Sequence, residues 1–338
     1  MSSLTRRGTL GLIGAAAAGL AAPALAARRR VVVGAMNLTS HAGSFIALER
    51  GYFADAGLDA ELKFFQAAQP MAVAIASRDA DFGVTAISGG LLSLAQKGAV
   101  KVIGGALSEE KGIDGQKILA SDAAFKAGLT SPAGLDGKRF GITTAGSSFH
   151  YMGARIAAAH GGRPEFVPLQ KVGAVIGALK SGQIDAWSIV PHIAKPLAAS
   201  GAVHIIGNVA DYLPGYQVTT VFTSAANAGG DRGLVEAFLQ AFSRGVADYN
   251  AAMVDRSAGE AAMQAVVDII HKYVYADQPR EKAAVSIING SMRLNEGAAI
   301  NLASVRDQLE WFQSEGLVDA GITLETFLDT SYVKVIGA

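Results

Sequence analysis

From position 29 onward, two kinds of apolar pattern alternate along the chain. Short β-branched or aromatic runs bounded by Gly or polar residues predict buried strands, and longer Ala- and Leu-rich stretches predict helices. Residues 29–34 (Arg-Arg-Val-Val-Val-Gly) read as a strand, followed by a polar loop at 37–41 and a helix near 44–50. Gly51 stands just past that helix, where a residue comfortable at φ > 0 is favoured. Strands are expected next at 60–65, 81–85 and 100–106, with an Ala-rich helix at 70–77. The pattern then recurs as a strand at 138–143, a turn at 145–148 and a helix at 149–159 closed by Gly161 and Gly162. A short strand at 164–169, a helix at 172–180 and a strand at 185–190 complete the second run.

The two runs carry a local likeness. Residues 74–81 (Ala-Ile-Ala-Ser-Arg-Asp-Ala-Asp) laid over 178–185 (Ala-Leu-Lys-Ser-Gly-Gln-Ile-Asp) match Ser77 to Ser181 and Asp81 to Asp185 at a constant offset of 104. Any two strand–helix–strand units would share some of this, and the common order of pieces carries more than the identities. Alternating strands and helices imply parallel sheets with right-handed crossovers. The expected fold class is α/β: two lobes, each a mostly parallel sheet flanked by helices. Ligands bind at the carboxyl ends of such strands, so facing lobes would meet in a cleft lined by polar loops. The remainder, from 233 on, reads as helices at 234–250, 258–273, 280–289 and 299–314 that wrap one lobe.

Composition narrows the picture. At 338 residues the chain is about twice an ordinary domain, and 50% hydrophobic residues with a mean hydropathy of +0.30 exclude intrinsic disorder. Lys plus Arg balance Asp plus Glu at 29 each, so there is no basic footprint of a nucleic-acid binder. The absence of cysteine removes disulfides, thiolate metal sites and thiol catalysis. Forty glycines against nine prolines suit many tight strand–helix turns.

The first 27 residues stand apart. Thr5-Arg6-Arg7, the apolar stretch 8–22 and Pro23-Ala24-Leu25-Ala26 form a charged n-region, a short h-region and a small-x-small cleavage site. The apolar stretch of 15 residues is too short to span a bilayer. A signal peptide over 1–27, cleaved near Ala26, and a periplasmic location are expected. The paired arginines and weakly hydrophobic h-region resemble a twin-arginine signal. Thr9 and Gly11 stand where Phe and Lys are usual, so the general secretory route remains open, as does an uncleaved amphipathic anchor. Cleavage removes Arg6 and Arg7 and no acidic residue, leaving a slightly negative chain. Export disfavours reactions that consume cytosolic ATP or NAD.

Several segments together resemble the substrate-binding proteins of ABC importers, in the alkanesulfonate, taurine, nitrate and thiamine-pyrimidine branch. Residues 47–58 (Ala-Leu-Glu-Arg-Gly-Tyr-Phe-Ala-Asp-Ala-Gly-Leu) resemble the opening helix, 79–84 the third strand and 135–141 the start of the second lobe. Residues 146–151 (Gly-Ser-Ser-Phe-His-Tyr) are similar to the anion-facing turn, and 311–317 and 329–332 to the C-terminal end. Their order, covering most of the chain, is more specific than any one of them. The resemblance implies a two-lobed clamshell of type II whose chain crosses between lobes near 113–121 and 216–223. It implies a first lobe of 28–115 and 218–338 and a second of 116–217. It also implies a partner permease in the inner membrane and a monomeric, non-enzymatic protein with no cofactor. Thiamine-pyrimidine synthases share the resemblance but depend on a cysteine-rich motif that this chain lacks.

Candidate site residues follow from their places at strand ends. Ser147 and Ser148 start a helix whose first amides have no intrahelical acceptor, a setting that suits an anion. A plain Ser N-cap explains the same residues without a ligand. Phe149 and His150 follow on that turn. Asn37, Thr39, Ser40 and His41 occupy the matching loop of the first lobe, where turn chemistry is the alternative. Thr85 and Ser88 after the third strand, Ser188 and His192 after its counterpart, and Gln66 and Gln69 after the second strand are further contacts. His41, His150 and His192 invite a metal site, but no H-x-x-x-H pair or nearby acid supports one, and no metal is expected. No G-x-S-x-G, H-E-x-x-H, Walker or G-x-G-x-x-G motif points to an enzyme. The candidate loops hold Ser, Thr, Asn and His rather than Arg, which favours a singly charged or polarisable ligand over a dianion. The expected function is capture of a small organic anion or heterocycle, of sulfonate or aromatic carboxylate type, and its delivery to a permease. The alternatives are an enzyme of the same fold acting on a pyrimidine-like or aromatic molecule, and an extracytoplasmic sensor partner.

Overall fold

The first β-branched run forms β1 (Arg29–Ala35) in the computed structural model, which describes residues 28–337. The expected leader over 1–27 lies outside the described residues. β2 (Leu58–Phe64) and β3 (Phe82–Thr85) pair parallel to β1 on either side. β4 (Val100–Ser108) joins them through β10 (Gln217–Ser224), which runs antiparallel to both β3 and β4. The second sheet holds β5 (Lys117–Ser121), β6 (Arg139–Ile142), β7 (Glu165–Pro168), β8 (Ala186–Ile189) and β9 (Val203–Asn208). Strand orders are β2-β1-β3-β10-β4 and β7-β6-β8-β5-β9. The sheets are the same design, each with one antiparallel strand inserted next to its last. The chain leaves each sheet by its last parallel strand and enters the other by the inserted one, so β4 leads to β5 and β9 to β10.

This corrects the expected crossings at 113–121 and 216–223. Both ranges contain a strand, and the connectors are 109–116 and 209–216. β5 and β10 escaped the pattern because an inserted antiparallel strand does not belong to a strand–helix–strand unit. The connectors are tied together by backbone: Glu109 N–H donates to Tyr216 O at 2.8 Å, and Gly215 N–H to Glu109 O at 3.1 Å.

Helices follow the parallel strands. α1 (Ala42–Glu49) and α2 (Tyr52–Asp55) follow β1, α3 (Ala68–Ala76) follows β2 and α4 (Gly89–Gln96) follows β3. Gly51 between α1 and α2 has φ +73°, as its place past a helix end predicts. In the second lobe, α5 (Asp122–Lys126) follows β5, and α6 (Ser148–Ala158), α7 (Val172–Lys180) and α8 (Pro191–Ala199) follow β6, β7 and β8. After β10 come α9 (Ala225–Gly230), α10 (Arg232–Tyr249), α11 (Glu260–His271), α12 (Arg280–Asn289), α13 (Leu302–Ser314) and α14 (Leu324–Phe327). α13 starts later than expected because Ile300–Asn301 pairs with Val335–Ile336, after which Asn301 caps the helix by accepting from Ser304 N–H.

α10 buries Leu234, Val235, Phe238, Phe242 and Val246 at helical spacing, with Phe238 stacked on Phe82 of β3 at 3.9 Å between centroids. It crosses α1 closely: a Cβ on Gly245 would come within 2.2 Å of Gly43 O, so glycine is required there. The C-terminal helices also reach the second lobe. Tyr151 of α6 bonds Asp307 of α13, Arg155 joins the same carboxylate at 2.7 Å, and Lys195 of α8 donates to Asn289 O at 2.6 Å. Among the described residues no helix is long and apolar enough to cross a membrane.

Candidate functional site

The loops at the carboxyl ends of the two sheets face one another across a cavity to which both lobes contribute walls. From the first lobe, Ser40 and His41 reach it after β1, Ala67 and Ala68 at the start of α3, and Thr85 and Ala86 after β3. From the second, Thr143, Ser147, Ser148 and Phe149 reach it after β6, Val172 at the start of α7, and Ile189 and Val190 after β8. Leu107, Gln116, Val218 and Thr219 line the side nearest the connectors. The lobes touch, with Gly89 N–H donating to Gly146 O at 2.9 Å and Thr39 Oγ1 lying 2.9 Å from His192 Nδ1.

The cavity wall holds no charged side chain. Its histidine is neutral as well. His41 Nδ1 accepts from Met36 N–H at 3.4 Å, which leaves the proton on Nε2, and burial lowers the ring's pKa to about 3. Ser147 caps α6, its Oγ accepting from His150 N–H at 3.4 Å. The amides of Ser148 and Phe149 are then the first two of the helix and have no intrahelical acceptor. The Phe149 ring packs against Trp187 at 5.3 Å between centroids. Hydroxyls, an imidazole N–H and free backbone N–H groups can thus solvate one polar or anionic end of a molecule, while Met36, Leu38, Leu107 and Val218 cover an apolar body.

Of the residues expected at the site, Ser40, His41, Thr85, Ser147, Ser148 and Phe149 line the cavity, and the others do not. Asn37 is exposed and donates to Tyr273 O at 2.7 Å, and Gln66 is exposed too, because both sit where the loop faces outward. Thr39 and His192 are buried against each other between the lobes. Burial and the neighbouring His41 lower His192 to about 3, and its Nε2 has no partner among the described residues. Ser88 serves as the N-cap of α4, accepting from Leu91 N–H at 3.2 Å. His150 accepts from Gly146 N–H at 3.1 Å and packs between Phe166 and Trp311; burial lowers its pKa. Ser188 is fully buried on β8. Sequence reasoning missed Gln116, Thr143 and Thr219. Gln116 precedes β5 and Thr219 lies within β10, the two strands that lacked a local signal. Among the described residues no group of three or more His, Asp or Glu could hold a metal ion.

The family model described as NMT1/THI5 like matches residues 38–252. No curated protein matches the chain. Among solved structures, the alkanesulfonate-binding protein SsuA from Xanthomonas axonopodis pv. citri, bound to MOPS, is 16% identical with TM-score 0.69, over 90% of this chain and 100% of that one. The periplasmic nitrate-binding protein NrtA from Synechocystis PCC 6803 is 13% identical with TM-score 0.66, over 88% of this chain and 84% of that one. The desulfurization enzyme DSZB is 17% identical with TM-score 0.58, over 90% of this chain and 97% of that one. The fold is therefore that of the periplasmic binding proteins.

Proposed function

Because the chain belongs to the NMT1/THI5-like family, we propose that it is the solute-binding component of an ABC importer. It captures a small organic anion or heterocycle, of sulfonate or aromatic carboxylate type, in the periplasm and delivers it to an inner-membrane permease. The observation that carries this reading is the cavity between the lobes, which Ser148 and Phe149, the first residues of α6, line among mainly apolar neighbours. The first lobe comprises 28–115 and 218–338, the second 116–217, and the leader directs export. Ligand contacts from both lobes favour the closed arrangement, and only that differential affinity drives the hinge. An enzyme of this fold would need a nucleophile and base facing the ligand. The hydrogen-bonded hydroxyl–imidazole pair, Thr39 and His192, is buried outside the cavity lining, and His41 within it has its basic Nδ1 taken up by Met36 N–H.

The test is calorimetry and solution scattering with benzoate, ethanesulfonate and a neutral aminopyrimidine as probes. Binding of at least one with a decrease in radius of gyration is expected. A Ser148→Asp variant should lose about 3 kcal/mol of affinity for either acid while keeping its melting temperature, since a carboxylate at a helix start repels an anion yet suits the dipole. Ser148→Asp with undiminished acid affinity removes the anion from the α6 start. Absence of binding by every probe overturns capture, and turnover of a probe moves the reading to an enzyme.

A further inference from the structure

Thr219 is the one cavity-lining hydroxyl that combines full burial of its oxygen with the lack of any partner. The residue is 8% exposed, and its Oγ1 has no hydrogen-bond partner among the described residues. A buried hydroxyl left unpaired costs about 1–3 kcal/mol, so its persistence at a cavity wall wants a reason. The local backbone supplies one. The β10–β4 register shifts on both sides of Thr219, between Gln217 and Thr219 and again between Thr219 and Thr220. Such irregularities re-aim side chains. This one is pinned: the buried amide nitrogen of Gln217 donates to Thr219 O at 2.8 Å and to Leu107 O at 3.1 Å. Its oxygen accepts from Asn301 N–H at 2.9 Å and from Asn295 Nδ2 at 3.3 Å. The backbone of Thr219, a residue of the cavity lining, is thus held by a buried network centred on Gln217.

Gln116, on the other connector, meets the cavity from the same end and is 2% exposed. Its amide nitrogen lies 3.4 Å from the Met152 sulfur, a weak acceptor, and its side chain also engages the Glu109 carboxyl. Its backbone N–H donates to Glu109 Oε1 at 3.1 Å, so a buried carboxyl stands directly behind it. The other oxygen of that carboxyl, Oε2, is unpartnered, and burial raises its pKa to about 7. Lys117 and Asp114 are the other charged groups acting on it. A second anionic group of a ligand would be disfavoured beside this carboxyl, whereas a neutral group that donates and accepts hydrogen bonds would satisfy both Thr219 and Gln116.

We propose that Thr219 and Gln116 form a second polar subsite at the connector end of the cavity. It takes a neutral hydroxyl or amide group on the ligand, opposite the end held at the start of α6. The ligand class is therefore a two-ended molecule: an acid or polar heterocycle at one end, an apolar middle and an uncharged hydrogen-bonding group at the other. This rests on the capture reading above.

The experiment compares benzoate with its 2-, 3- and 4-hydroxy derivatives by calorimetry on the wild-type protein and on Thr219→Val and Thr219→Ser. At least one hydroxy isomer should bind the wild type about tenfold more tightly than benzoate. That advantage, taken as the ratio to benzoate on the same variant, should fall below about threefold in Thr219→Val, which keeps the shape and loses the hydroxyl, and return in Thr219→Ser. Benzoate binding with no preference for any hydroxy isomer overturns the subsite and leaves capture standing. A preference that survives undiminished in Thr219→Val, itself checked for an unaltered melting temperature, also overturns it. Failure of every one of these acids to bind overturns the subsite together with the acid-capture reading.

Discussion

The helix–turn–strand unit occurs once in each lobe, and the two copies make the same hydrogen bonds with different side chains around them. Ser77 and Ser181 each donate to the carbonyl three residues back at 3.2 Å. Asp81 N–H donates to Val32 O at 2.8 Å while its carboxylate accepts from Val32 N–H at 2.8 Å. Asp185 does the same with Arg139, at 2.8 and 2.9 Å. Each Asp therefore clips its turn to the first parallel strand of its own sheet, β1 or β6. The left-handed position of the turn is Arg78 (φ 66°) in the first copy and Gly182 (φ 73°) in the second. The second clip is also reinforced: the Arg139 guanidinium binds Asp185 at 2.7 and 3.1 Å. The first sheet instead has α10 stacked against β3. The backbone geometry belongs to the repeat, and each lobe stabilises it by different means.

The largest expected effect tests the boundary that the lobes build together, with His41 from one and His192 from the other. Burial holds both near 3, so each is neutral when folded and is protonated below about pH 6.5 only on unfolding. Acidifying from pH 7 to 5 then removes about 2 kcal/mol of stability per imidazole, about 4 in all. Glu109 opposes them. Its folded pKa is raised to about 7, so the stability it contributes is present at pH 5 and declines as pH rises towards 7; it returns about 2 kcal/mol on acidification. Urea titrations should show the wild type losing about 2 kcal/mol between pH 7 and 5 and Glu109→Gln losing about 4. Equal losses in the two proteins would mean that Glu109 is ionised in the folded state.

The next effect separates the two clips. Burial alone would raise the Asp185 pKa, but its side-chain and backbone hydrogen bonds to Arg139 outweigh this and hold the carboxyl below its ordinary range. Its stabilisation is therefore present above the unfolded carboxyl pKa and is lost as pH falls through the lower folded one. Asp185→Ala should cost about 2–3 kcal/mol at pH 7 and Asp81→Ala about 1–2, because only Asp185 gives up a charged partner as well as a backbone N–H. Identical losses would assign the clip's strength to the backbone bond alone.

The smallest effect exchanges the left-handed residues. A Cβ on Gly182 would meet only Ala123 Cβ at 3.5 Å, so Gly182→Ala strains the backbone without a clash and should cost about 1 kcal/mol. Arg78→Gly relieves the same strain but frees the unfolded chain, and should change stability by only a few tenths of a kcal/mol. Thermal melts of both variants measure the difference. A larger loss in Arg78→Gly would give the Arg78 side chain a role beyond the turn.

Elements with their own periodicity were legible. Val172–Lys180 and Arg280–Asn289 lie where the pattern puts them, and the parallel strands other than β9 agree within a few residues. β5, β9 and β10 were not legible: their pairing partners lie far along the chain, and β5 and β10 run antiparallel, outside the strand–helix–strand repeat. The same division runs through the cavity. Ser147 and Ser148 stand out because a helix start is a local feature. Thr219 does not, because its exposure to the cavity depends on a register shift against β4 and on Gln217 behind it.

By itself, the sequence determined the alternation of strands and helices, the repeat with its Ser and Asp positions, and the start of α6. Each of these follows from spacing and short-range hydrogen bonding within one segment. Tertiary structure alone decided which polar residues face the cavity and which do not. Asn37 and Ser40 lie three positions apart in one loop, yet one is exposed and the other lines the cavity. It also decided the charge of the site, since the six histidines of the sequence carry no sign of which are shut off from water. His41 is neutral because burial disfavours its charge, and desolvation is a property of everything packed around a group rather than of its neighbours along the chain.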